Sequence, residues 1–251
     1  EVSDLDPVGI GGAHLCARTW GAHQLEPTTI TATCKALEAN CGRIDVPSVT
    51  GYGSLIPVRL PLLEEGQRHF GENRVQEAQA KWPALRARFP DVVLHLVGQL
   101  QSNKAAEAVA LFDVIHSLDR PSLVDALGKA MAAAGRRIPC FIQVNIGEEP
   151  QKGGCAIADL PALLEKARAA EIPVIGLMCV PPHTRFPQNL VAAVSPQAHQ
   201  DSDVEAAPYF ALLAKIARDQ RLAGLSMGMS GDYETAVMLG ASHVRVGSAL
   251  F

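Results

Sequence analysis

The strongest constraint on the fold is a rhythm that begins near Leu60. Short runs that are apolar almost throughout alternate with stretches of helical period: His69–Gly71, Val92–Gly98, Val114–Ser117, Cys140–Ile146, Val174–Val180, Leu225–Met229 and His243–Val246. A strand apolar on both faces must be covered on both faces. Strands separated by helices pair in parallel, because a parallel return needs a crossover. The helices between them carry ordinary punctuation. Pro121 opens one whose Val124, Leu127 and Met131 follow helical spacing until Gly135 stops it. Pro208 is read as opening another, with Tyr209, Leu212, Leu213 and Ile216 on one face.

Seven such strands follow residue 60, and an eighth would close a (β/α)₈ barrel. The expected eighth lies near residues 46–56, within Ile44–Pro57, where two prolines and two glycines make a poor strand. The expected organisation is therefore an irregular region at 1–58, with a degraded first strand, followed by a barrel at 59–251. Residues 183–205 follow Pro181-Pro182, lack any period and exceed the usual strand-to-helix loop, so they read as a flexible insertion in preference to a lid.

Composition narrows the partners. With 48% hydrophobic and 19% charged residues, the 251-residue chain can bury a large core. The net charge is −4 and the 22 basic residues are scattered, which argues against nucleic acid or an anionic membrane as the main partner. Six cysteines show no C-x-x-C pair and read as reduced thiols of a cytoplasmic protein. No apolar run is long enough to span a bilayer, and Glu1–Asp4 does not open like a signal peptide.

In a parallel barrel, chemistry sits at the C-terminal ends of the strands. Reading those ends gives Glu72 and Asn73, His95 with Gly98-Gln99, His116, Ser117 and Asp119, Asn145, Met178, Ser226 to Ser230, and Arg245 to Ser248. The last two strands break at Ser230-Gly231 and Gly247-Ser248, where small residues leave backbone N–H groups to face an anion, with Arg245 beside them. That pattern fits a phosphate cradle, although Gly-Ser also marks plain turns and a strand arginine also pairs with carboxylates. His95, midway along an apolar strand, reads as a satisfied core histidine. Asn73 and Asn145 can each cap a loop, and Glu72 can pair with Arg68 or Arg74.

Taken together, the blocks Gly71–Glu77, Leu94–Lys104, Gln143–Ile146, Gly176–Met178, Ser226–Asp232 and Val244–Ser248 resemble, in that order, the pyridoxal-phosphate homeostasis proteins. These are single-domain relatives of the alanine racemase barrel. The resemblance implies a barrel holding pyridoxal 5′-phosphate (PLP) at its C-terminal mouth. It implies that Met229, Ser230, Gly247 and Ser248 grip the phosphate, that Arg245 lies near the ring or phosphate, and that Asn73, His95 and Met178 line the ring pocket. An arginine at the pyridine nitrogen keeps the ring unprotonated and a weaker electron sink. The family implies a carrier or regulator of the cofactor rather than a catalyst, acting on a small molecule as a monomer or weak dimer.

One departure stands out. The family's lysine, which links to the cofactor aldehyde, lies at the end of the first strand in a Val-Ser-Lys-Thr-like block. Counting back without gaps from Gly71 puts Tyr52 there, and no lysine occurs between Lys35 and Lys81. A tyrosine cannot make that link. A shifted or misjoined N-terminal region and non-covalent binding are the favoured explanations, ahead of Lys35 or Lys104 reaching the site. The alternative functions are a racemase-like enzyme on amino acids and a barrel enzyme on another phosphorylated metabolite, with Glu72 or Asp119 as its base.

Overall fold

A computed structural model describes residues 62–64, 66–182 and 202–246, together with the backbone of a strand at 29–33. Eight parallel strands close into a barrel in chain order: β1 (Thr29–Thr33), β2 (His69–Glu72), β3 (Val93–Leu96), β4 (Val114–Leu118), β5 (Cys140–Gln143), β6 (Val174–Met178), β7 (Gly224–Met229) and β8 (His243–Val246). The helices are α1 (Val75–Arg88), α2 (Ala105–Leu111), α3 (Pro121–Ala134), α4 (Leu160–Ala169), α5 (Ser202–Asp219) and α6 (Tyr233–Met238).

The seven strands expected after residue 60 are present, and the closing strand is not where the sequence pointed. β1 pairs with β2 through Ala32 and Phe70, and with β8 from Thr29 and His243 to Ala32 and Val246. The barrel thus closes with residues 29–33, upstream of the 46–56 segment, which lies outside the described residues. Three of its five residues are threonine. Threonine is β-branched and suits a strand, yet its hydroxyl dilutes the apolar signal used to find the other seven.

Alternation along each strand builds two apolar layers. On β3, Leu94 and Leu96 join the outer core with Phe70, Trp82, Ile115 and Phe112 under the helices. Val93 instead faces an inner cluster of Val114, Phe141 and Met178. Phe141 fits inside because β7 has no side chain at Gly224, where a Cβ would lie 2.8 Å from its ring. On α3, Leu123, Val124, Leu127 and Met131 are buried, Pro121 occupies the first turn, and Gly135 ends the helix with φ 60°.

Two helix readings change. Pro208 lies inside α5 rather than at its start, so the helix accepts one carbonyl without a donor one turn upstream. The face it buries is Ala206, Phe210, Leu213 and Ala217, with Tyr209 and Ile216 partly covered, while Leu212 is exposed. Of the supposed 183–205 insertion, residues 202–205 already belong to α5, and the rest lies outside the described residues. Among the described residues no helix is long and apolar enough to cross a membrane.

Close approach fixes the β2 and β3 ends. A Cβ at Gly98 would lie 2.2 Å from the Asn73 carbonyl oxygen. Backbone cannot yield as a flexible side chain does, so Gly98→Ala should destabilise the protein by at least about 1–3 kcal/mol. Urea unfolding measures it, and an unchanged midpoint would show that the two loops are not in contact.

Candidate functional site

At the C-terminal mouth, β7 and β8 bring Ser226 and Arg245 together. Arg245 is 5% exposed, and its guanidinium donates to Ser226 Oγ (3.1 Å), Ser226 O (3.3 Å) and Cys179 O (2.9 Å). Burial pulls its pKa down from the ordinary value, but a guanidinium stays protonated in proteins. All three acceptors are neutral, and no carboxylate lies within ion-pair distance of it among the described residues. Asp232 acts on it from farther off, and a buried charge whose hydrogen-bond acceptors are all neutral favours an anion.

Below this arginine runs a line of histidines. His69 Nδ1 lies 3.0 Å from His95 Nε2, His95 Nδ1 is 2.9 Å from His116 Nε2, and His116 Nδ1 is 2.8 Å from Ser226 Oγ. His116 stacks on Phe141 with ring centroids 4.5 Å apart, and His243 meets His95, His116 and Phe141 edge-on. Burial holds His95 and His116 well below the ordinary histidine pKa, and pushes His243 down to about 4.

These depressed values make stability depend on pH. The unfolded chain takes up protons as pH falls through about 6.5, whereas the folded histidines refuse them until the pH nears their lower values. Stability should therefore be complete above about pH 6.5. It should fall toward pH 4, by roughly 1.4 kcal/mol per pH unit for each histidine that stays neutral. Urea unfolding between pH 7 and pH 4 measures that slope, and a flat profile would mean that the histidines charge freely in the fold.

The residues expected at the site occupy different levels. His95 and Met178 are each 1% exposed and lie inside the barrel, beneath the mouth. His95 has both ring nitrogens occupied, as a core histidine should. Asn73 is exposed at the rim, against Gly98. Met229 and Ser230 are half-buried at the end of β7, and the Met229 N–H donates to Asp232 Oδ1 at 2.5 Å, so that donor is already engaged. Gly247 and Ser248 lie outside the described residues.

The remaining polar side chains at the strand ends have partners of their own. Glu72 turns outward and accepts from Trp82 Nε1 at 2.7 Å, while Arg68 pairs with Asp91 and Arg74 with Glu77. Asn145 does cap its loop, through Nδ2 to Glu149 O and from Glu149 N to Oδ1. The reading of strand ends did not single out Gln143, which accepts from Gln99 Nε2 at 2.8 Å and donates to Gly153 O at 3.1 Å, tying the β5 loop across the mouth. Its signal was only its place as the last residue of a buried strand. Cys140, Cys155 and Cys179 are free and buried, and their thiols are pushed up to about 12. They serve as small core residues.

This barrel matches a known one in sequence as well as shape: the family described as the alanine racemase N-terminal domain matches residues 49–251. The chain belongs to that family. Within it, the pyridoxal phosphate homeostasis protein of Deinococcus radiodurans is 35% identical over 226 residues, covering 88% of this chain and 97% of the relative. The structure of PipY from Synechococcus elongatus PCC7942 with PLP bound is 32% identical, with a TM-score of 0.70, and covers 97% of this chain and 100% of that one. An alanine racemase of Clostridium difficile shares the fold at 12% identity and a TM-score of 0.56, covering 79% of this chain and 48% of its own. The family expected from the sequence blocks is thus the one found.

Proposed function

We propose that this protein binds PLP at the C-terminal mouth of the barrel and acts in vitamin B6 homeostasis as a cytoplasmic carrier of the cofactor rather than as an enzyme. The observation that carries the reading is Arg245. Its buried guanidinium, with only neutral acceptors, suits a ligand that brings an anionic phosphate and a ring nitrogen able to accept. Ser230, Gly247 and Ser248 would hold the phosphate, with Met229, whose N–H is engaged by Asp232, beside it, and Asn73, His95 and Met178 would bound the ring. When bound, the cofactor supplies an aldehyde that amines capture reversibly and a ring that can draw electrons from them.

The position of β1 also revises the search for the attaching lysine. β1 ends at Thr33, and Thr33-Cys34-Lys35-Ala36 follows the pattern of the Val-Ser-Lys-Thr-like block better than the sequence around Tyr52. Lys35 is therefore proposed as the residue whose amine holds the aldehyde. Lys104 is the weaker candidate, since its ammonium donates to Glu107 Oε1 at 2.9 Å.

A turnover reaction needs an acid or base facing the bound ring. The sequence offers Glu72 and Asp119 as carboxylates at strand ends. The first faces Trp82 outside the strands, and the second pairs with Arg120 at 2.7 Å. Both placements support the carrier reading. The test is a spectrophotometric titration of the purified protein with PLP, in which a saturable shift of the aldehyde absorbance is expected. A spectrum identical to free PLP at all ratios would reject the proposal.

A further inference from the structure

The histidine line has a direction, and the direction follows from its far end. A guanidinium can only donate, so Arg245 occupies one lone pair of Ser226 Oγ. The hydroxyl's own proton then needs an acceptor, and the other partner of that oxygen among the described residues is His116 Nδ1. Ser226 is fully buried, so a proton without an acceptor would be stranded away from water. The hydroxyl must donate to His116 Nδ1, which is therefore the bare nitrogen.

The remaining assignments follow in turn. A neutral imidazole has one N–H, so His116 carries it on Nε2 and donates to His95 Nδ1; His95 then donates from Nε2 to His69 Nδ1. His69, half-buried at the start of β2, keeps its N–H on Nε2. The reverse order would satisfy every ring and strand only the serine proton. Burial keeps His95 and His116 uncharged, which the one-proton count requires.

We infer that His116, acting through Ser226, is a positioning residue for Arg245, and that the one-way column His69–His95–His116–Ser226 holds the guanidinium in place to receive its ligand. Ser226 Oγ is the one side-chain acceptor of Arg245 among the described residues; its other two acceptors are backbone carbonyls. Fixing the hydroxyl rotor is thus the means by which side chains set the arginine. The inference rests on the reading that the Arg245 site receives PLP, but its structural part can be observed without any cofactor.

The experiment begins with nitrogen-15 imidazole spectra of the cofactor-free protein. His95 and His116 should both appear as neutral Nε2–H tautomers, and a protonated Nδ1 on His116 would overturn the inference. Two variants then separate acceptor from bulk. His116→Asn keeps an oxygen close to the place of Nδ1, whereas His116→Phe keeps a ring against Phe141 and offers no acceptor. The Arg245 side-chain Nε resonance should stay in place in His116→Asn and move in His116→Phe. The Kd for PLP should remain within about twofold in the first and rise about tenfold in the second, the size of a lost hydrogen bond. An Arg245 resonance unmoved by His116→Phe would also overturn the inference. If that resonance moves as expected while the unaltered protein binds no PLP, the positioning role stands and the cofactor reading falls. Should His116→Phe fail to fold, the tautomers of the unaltered protein still decide.

Discussion

Replacing Arg245 by methionine is expected to weaken PLP binding by about a hundredfold while leaving the protein as stable as before, or more so. The two effects share one cause. The guanidinium is buried against three neutral oxygens, and among the described residues Asp232 acts on it only from beyond ion-pair distance, so its desolvation is incompletely compensated in the ligand-free fold. Apolar replacement of such buried charges is often neutral or stabilising by about 1–4 kcal/mol. Toward the ligand the balance reverses. Each charge-assisted hydrogen bond contributes roughly 1.5–3 kcal/mol, and about 2.8 kcal/mol corresponds to a hundredfold in affinity. Urea unfolding and a PLP titration on the same preparation read both quantities. A variant that binds normally would move the site away from Arg245.

Lysine 35 carries the other large effect. Borohydride treatment of the PLP-loaded protein is expected to fix cofactor on Lys35, and Lys35→Ala should abolish that adduct. Lys104→Ala should leave it intact, because that ammonium is engaged with Glu107. Tyr52→Lys in the Lys35→Ala background should not restore it, since the barrel closes through residues 29–33. Peptide mapping of the reduced adduct reads all four cases. Attachment at position 52 in that last variant, or no adduct with the unaltered protein, would refute the assignment of Lys35.

The residues themselves explain why some of this was legible and some was not. β2 to β8 could be read because each carries apolar residues on the face beneath the helices and recurs after a helical stretch, and α3 because Pro121 and Gly135 mark its ends chemically. β1 escaped because Thr29, Thr31 and Thr33 supply strand propensity without hydropathy, and because counting back from Gly71 assumed the family's spacing. Pro208 misled because proline favours a helix's first turn but does not always mark it. At the site, residue types pointed to the mouth, while hydrogen-bond partners depend on which face a side chain takes. Glu72 found Trp82 rather than a neighbouring arginine, and Met229 lent its N–H to Asp232. The histidine column spans four strands, and only the closed barrel brings His69, His95, His116 and Ser226 into line.

A crystal structure of the protein loaded with PLP tests the central claim most directly. The phosphate is expected against Ser230, Gly247 and Ser248, the ring beside Arg245, and continuous density from Lys35 to the cofactor. PLP held away from Arg245, or joined to any other lysine, would contradict it.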